Sequence, residues 1–316
     1  RQYLSAGVTT AQMGLLQEPY RQRLVPLARL NLLPLRLVVW PDPVVANAIL
    51  DGSVDASDSD RLHWGAFKIV LDGSIQGYTG ALSRPYHQAP SPGYKGELAW
   101  NEQALRDTVM RYHKANRQMA VHVCGDAAMD AFINAYAAAQ KAHPRSDARP
   151  IALHALVIRP DQLDRAKELE ITPSFLATHV YYWGDRHTKT FLGPWLAPLI
   201  TPEQTALKKG LRFTNHMDTP VVPMDPFLLA WITVTRQTAS GAELGPGERI
   251  DAMTALRSIT IDAAWQAFLE KDRGSLEAGK FADMIVLSGD PLASADALRA
   301  IKVEKTLVGG VTVYER

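Results

Sequence analysis

The chain has 316 residues, 47% hydrophobic and 21% charged, which is ordinary globular composition and excludes a disordered polymer. Its length suits one barrel-sized domain with an appendage. A net charge of +1 with no basic block argues against nucleic acid or an anionic membrane as partner; one cysteine, Cys124, excludes an internal disulfide and a thiolate cluster.

No apolar run reaches the ~20 residues of a membrane-spanning helix, and a cytoplasmic location is the expectation. Residues 1–7 read as the last turn of a helix stopped by Gly7, an opening that leads us to expect the C-terminal part of a longer protein. Strand-like runs follow at 8–13, 33–40, 66–71, 119–123, 150–156, 171–179 and 211–218. Helical candidates lie at 20–32, 44–50, 102–117, 127–142, 160–169 and 202–209. Asp161 and Glu203, each just after a proline, put a carboxylate in a first helical turn, where the helix dipole favours it.

Strands alternating with helices indicate an α/β fold with a parallel sheet and crossover helices. Seven units suit a (β/α)8 TIM-like barrel lacking its first strand. An open doubly wound sheet is the rival, but it would gather its ligands at one switch point. Residues 226–238 and 252–270 read as further helices, and the barrel domain is assigned to 1–272. From 273 the character changes to β-rich runs, the last two joined by Gly309-Gly310, a hairpin signal. This small β unit, 273–316, is too small to be stable alone.

Four polar residues sit within or at the ends of separate apolar runs: Lys68, His122, His154 and Asp218. Ligating groups delivered one per strand are what a barrel uses to build a metal site at one mouth.

Several motifs resemble the amidohydrolase superfamily, specifically its YtcJ-like branch (amidohydrolase family 3). They are Val8-Thr9-Thr10, Phe67-Lys68-Ile69-Val70-Leu71-Asp72-Gly73-Ser74, His122-Val123-Cys124-Gly125-Asp126-Ala127-Ala128 and His154-Ala155. The stretch from Pro173 to Thr178-His179, then Asp218-Thr219-Pro220-Val221 and the segment from Gly274 to Asp283, complete the order over essentially the whole chain. The resemblance implies a barrel carrying one or two divalent metals, usually zinc, and a small β-sandwich to which 273–316 contributes. It also implies a metal-dependent hydrolase that cleaves an amide or other non-peptide C–N bond through metal-bound hydroxide. The chain departs from the pattern: the first-strand His-x-His pair is absent, since no two of its nine histidines are two apart, and so are the front half of the sandwich and the family's long insertion after strand one.

The resemblance implies residue roles. Lys68 would be carboxylated to N6-carboxylysine and bridge the metals; the alternative is a lysine snorkelling from a strand end. His122 and His154 would donate imidazole nitrogens, against the alternative of hydrogen-bonded core histidines. Gly125-Asp126 would shape the turn and orient His122. Asp218 would ligate metal and serve as general base, or else cap a following helix. His179, ending the seventh strand, would contact substrate and hold the developing oxyanion, with His216 beside Asp218 in support. Asp72, Gln76 and Tyr78 would contact substrate from the loop after the Lys68 strand. Tyr181, Tyr182, Trp183, Phe191 and Trp195 would line an apolar pocket, or else pack a loop or a partner interface. His63, His87, His113, His143 and His187 read as solvated.

Two other functions stay open. One is a truncated or degenerate member that binds a small molecule or partner protein without chemistry. The other is a Schiff-base lyase using Lys68. Expected partners are a small-molecule substrate and an upstream segment of the same protein, with a homo-oligomer left open.

Overall fold

The computed structural model describes residues 1–316. A short helix, α1 (Gln2–Ser5), ends at Gly7, whose φ of 81° turns the chain into β1 (Thr10–Leu16). Then come α2 (Glu18–Arg29), β2 (Arg36–Pro41), α3 (Pro43–Leu50) and β3 (Leu62–Trp64). β1, β2 and β3 form one parallel sheet in that order. β4 (Phe67–Val70), α4 (Glu102–Lys114), β5 (Met119–Val123), α5 (Asp126–Ala142), β6 (Ile151–His154), α6 (Pro160–Glu168) and β7 (Thr172–Phe175) follow. After them come α7 (Thr178–Arg186), α8 (Gly193–Leu196), α9 (Glu203–Lys208) and β8 (Thr214–Asn215). β4 to β8 form a second parallel sheet in sequence order, so the α/β reading of the sequence holds.

β3 was not foreseen. It pairs Leu62, His63 and Trp64 with Leu37, Val38 and Val39, and the chain then crosses to the second sheet at Gly65. A Cβ at Gly65 would lie 2.9 Å from the Trp40 ring, so only glycine lets the strands pass that close.

Both sheets turn side chains onto a common interior. Val38 and Trp40 of β2 share a buried cluster with Ala120 of β5 and Ile151 and Leu153 of β6; Ala267 and Leu269 join it. The outer faces contribute to a much larger cluster with the helices, among them Ile69, Val121, Val123 and Phe175. Asp42 and Asn101 cap α3 and α4 by accepting from Val45 N and Ala104 N.

Several predicted boundaries move. The run 171–179 divides: β7 stops at Phe175, the last residue with a ladder partner, and His179 N and Val180 N bond back to Leu176 O and Ala177 O to open α7. His179 therefore lies in a first helical turn, not at a strand end. α10 (Pro226–Thr235) stops short because Arg236 adopts φ 57° and spends its guanidinium on Leu244 O, Thr201 O, Thr201 Oγ1 and Ile200 O. The predicted helix 252–270 is two, α11 (Ala252–Ser258) and α12 (Ile261–Gln266).

β9 (Met284–Leu287), α13 (Ala295–Ala300), β10 (Val303–Val308) and β11 (Val311–Glu315) close the chain. The Gly309-Gly310 hairpin forms as expected, in an antiparallel sheet ordered β11-β10-β9. α13 and β10 share the main core through Leu298, Val303 and the intervening Ile301. Arg36 Nε also lies 2.7 Å from Asp283 Oδ2, with both side chains almost fully buried, and Thr306 Oγ1 donates to Leu4 O at 2.7 Å. No helix is long and apolar enough to cross a membrane.

Candidate functional site

Strand register explains which side chains meet. Lys68 pairs with Ala120, and His122, Leu153, Ser174 and Thr214 form the next row across β5 to β8. By alternation His154 should face the opposite way from His122. It does not, because His154 and Ala155 both adopt positive φ, 72° and 41°, as the strand ends. That costly backbone swings the ring inward until His154 Nε2 lies 2.9 Å from His122 Nδ1, with the rings at 73° to each other. Asp218 is likewise left-handed at φ 59°. It caps no helix: the next one, α10, begins at Pro226 and is capped by Asp225.

Each imidazole is held from behind. His122 Nε2 donates to Gly73 O at 3.0 Å; a carbonyl only accepts, so Nδ1 is the lone-pair nitrogen facing His154. His216 Nε2 lies 2.9 Å from His154 Nδ1, and Ser174 Oγ contacts His216 Nδ1 at 3.2 Å. Thr214 Oγ1 donates to Ser174 Oγ at 2.9 Å and accepts from Gln266 Nε2 at 3.0 Å, so the chain of bonds runs down to α12.

Lys68 is 3% exposed, and its amine has no hydrogen bond or ion pair with any protein group. Burial pushes that amine down to about 7 against the opposing charges of Asp218, Cys124 and Asp72. Burial and then Lys68 push His122 down to about 4; burial, Lys68 and His122 push His216 to about 3. Burial also holds His154 well below its usual range, with His122, His216, Lys68 and His179 adding to the effect. Asp218 reaches solvent by surface area, yet the surrounding walls raise its carboxyl while Lys68 pulls the other way. Lys68, His122, His154, His179, His216 and Asp218 thus share one electrostatic environment.

The donor set fits a divalent cation. Two neutral imidazole nitrogens converge at 2.9 Å, close to the spacing of two ligands on one ion with bonds of about 2.0–2.1 Å. An amine with no protein partner and a carboxylate also influence each other's protonation. A second donor group, Asp72, His122 and Cys124, has its atoms within 4.8 Å of one another. We discount it: burial holds the Cys124 thiol well above its usual range, and Asp72 is already occupied. Asp72 Oδ1 accepts from Cys124 N at 2.9 Å, and Oδ2 accepts from Gly125 N at 2.8 Å and Ala81 N at 2.9 Å.

Asp72 is therefore a buried anchor for the turn after β5, and a substrate contact is not what this geometry carries. A Cβ at Gly125 would meet Ala81 O at 1.9 Å, so glycine is required there. Asp126 does not orient His122; it accepts from Ser83 N at 2.8 Å and Arg159 Nη1 at 2.9 Å. Tyr78 packs on Tyr86 and Phe191, with centroids 5.1 Å away in each case, and Gln76 Oε1 is buried without a partner. Phe191 is buried, Trp195 is 89% exposed, and Tyr181, Tyr182 and Trp183 are half-buried, so the aromatic run does not act as one pocket wall.

Two histidines read as solvated are buried. His113 Nε2 donates to His143 O at 2.7 Å. His187 is 0% exposed, and its Nε2 lies 3.2 Å from His179 Nδ1. His187 opens a widened π-helical turn, His187–Phe191. His113 could have been found from its helical spacing to Leu105 and Val109 on the buried face of α4, whereas His187 is buried by the turn it opens, against His179 and Phe191, which no apolar periodicity announces.

A sequence profile described as "Amidohydrolase family" matches residues 1–314. The YtcJ amidohydrolase of Bacillus subtilis (strain 168) is 29% identical over 263 residues, covering 81% of this chain and 48% of its own. The N-substituted formamide deformylase of Arthrobacter pascens is 29% identical over 270 residues, covering 82% and 47%. The chain thus spans about half the length of these relatives. Among solved structures, an uncharacterized metal-dependent hydrolase from Pyrococcus furiosus superposes with a TM-score of 0.76 at 26% identity, over 90% of this chain and 56% of that one. Its Pyrococcus horikoshii OT3 counterpart gives 0.79 at 24%, over 91% and 57%, a likeness of fold.

Proposed function

The chain belongs to the amidohydrolase family, and we propose that it carries most of the active site of a metal-dependent hydrolase cleaving an amide or other non-peptide C–N bond. The observation that carries this reading is the approach of His122 Nδ1 and His154 Nε2 to 2.9 Å, together with a buried Lys68 amine that has no protein partner and whose charge holds both imidazoles down. An isolated buried ammonium is costly, so the site is arranged for a lysine that is uncharged or chemically modified. The name of the formamide deformylase relative supports an amide-type substrate.

In this proposal Lys68, as N6-carboxylysine, His122, His154 and Asp218 hold one or two divalent ions, zinc being the expectation. The ion supplies Lewis-acid charge that makes water nucleophilic near neutral pH. Gly73 O and His216 fix the orientations of His122 and His154. Asp218, raised by its surroundings, takes the proton from the attacking water and passes it to the leaving nitrogen. His179 steadies the developing negative charge on the substrate oxygen.

We also read the two parallel sheets as arcs of one TIM-like barrel lacking a strand, with β3 and β4, separated only by Gly65-Ala66, as two pieces of a single barrel strand. The interior cluster shared by β2, β5 and β6 supports this. The barrel then comprises 1–272, with 273–316 as part of the small β-sandwich. The remaining strand and its histidine pair would come from further residues of the same polypeptide, as the roughly doubled length of the relatives suggests.

The test is metal content by mass spectrometry after loading with zinc or manganese, for the native chain and Lys68→Ala. Stoichiometric metal in the native chain that is lost in the variant is expected. No metal in either would favour the non-catalytic binder.

A further inference from the structure

His179 and His187 are both buried, and their rings are nearly coplanar. The planes differ by 19° and the centroids lie 5.4 Å apart. The 3.2 Å between His179 Nδ1 and His187 Nε2, plus the two ring radii, accounts for almost all of that separation. The rings therefore meet edge to edge, as a hydrogen-bonded imidazole pair does, and not face to face. Trp183 covers His179 at 4.6 Å between centroids, and Phe191 closes on His187 at 5.8 Å.

One proton lies between the two nitrogens, and it belongs to one ring or the other. The orphaned atom on the far side of His187 decides which. His187 Nδ1 is buried and has no hydrogen-bond partner. If His187 carried its proton there, the structure would strand an N–H donor; if it carries the proton on Nε2, only a bare lone pair is left. A stranded buried N–H is the costlier and rarer of the two. So His187 Nε2–H donates, His179 Nδ1 accepts, and the neutral His179 ring has its proton on Nε2. His179 Nε2 bonds no protein atom and is not among the buried orphans. It is open on the side of the ring away from His187.

We propose that His187 is a positioning residue that locks His179 in the Nε2–H tautomer, so that His179 presents a hydrogen-bond donor to a substrate oxygen. This rests on the proposed role of His179 in a hydrolase, but the lock itself can be read without metal or substrate. Burial keeps both rings neutral: it holds His179 well below its usual range and pushes His187 to about 3.

The experiment is long-range proton–nitrogen NMR correlation on the native chain with nitrogen-15-labelled histidine, repeated on His187→Phe and His187→Gln. The native chain is expected to show the Nε2–H pattern at both rings. His187→Phe, which removes the donor, should lose the single-tautomer pattern at His179. His187→Gln, whose amide nitrogen can occupy the Nε2 position, should restore it. A native His179 protonated on Nδ1 would overturn the proposal, as would a His179 spectrum unchanged in His187→Phe. Should His187→Phe fail to fold, the native spectrum still decides. Failure of the hydrolase reading would show as absent metal or turnover and would leave these spectra as they are.

Discussion

His216 Nε2 lies 2.9 Å from His154 Nδ1, which places His216 directly behind a candidate metal ligand. The bond couples His154 to Ser174, Thr214 and Gln266, so the ring's aim is set by three further elements of the fold. Removing such a support is known to weaken metal sites without removing a ligand.

His216→Phe is accordingly expected to weaken zinc binding by about 10–100-fold while leaving the fold intact. Competition titration with a chromogenic chelator reads this directly. Unchanged affinity would show that His154 is oriented by backbone alone.

Lys68→Met should abolish metal loading, yet raise the melting temperature of the metal-free chain. The native amine is buried with no partner, and a thioether of similar length removes that penalty. Differential scanning calorimetry in chelator measures the second effect; a lower melting temperature would mean that the amine has a stabilising partner after all.

Glu203 supplies a pH dependence remote from the ligands. Burial raises its carboxyl to about 7, although Arg236 and the 2.7 Å bond from Asn215 Nδ2 pull it down, and Oε2 has no partner. Its folded pKa lies above the ordinary 4.5, so between those values the native state binds the extra proton. Stability then falls as pH rises from about 4.5 through 7, by up to about 1.4 kcal/mol per pH unit. Glu203→Gln should flatten that slope in urea titrations. An identical slope in the variant would place the proton elsewhere.

Asp283→Ala should cost about 3–5 kcal/mol, because it leaves the Arg36 guanidinium buried and unpaired. Hydrogen exchange is expected to rise first in β9 to β11. Uniform protection across the chain would show that the antiparallel sheet does not depend on that pair.

The hairpin at Gly309-Gly310 and the strand–helix alternation were legible because both are local. Glycine pairs favour tight turns, and apolar periodicity reports which face a segment buries. Lys68 and His122 could be located on strands for the same reason. His179 was misplaced because an apolar run carries no mark where a ladder runs out of partners, and β7 ends where β8 does.

By itself, then, the sequence determined the α/β alternation, the order of the strands and the residue types available at their ends, since these follow from local propensity and periodicity. Only the tertiary structure decided that His154 turns inward against its strand register, that Asp72 serves backbone amides, that His187 backs His179, and that Arg36 meets Asp283 across 247 positions. Those outcomes depend on positive φ at chain exits, on partners distant in sequence and, for His187, on a π-helical turn that opens eight residues on from His179; none leaves a periodic trace in the order of residues.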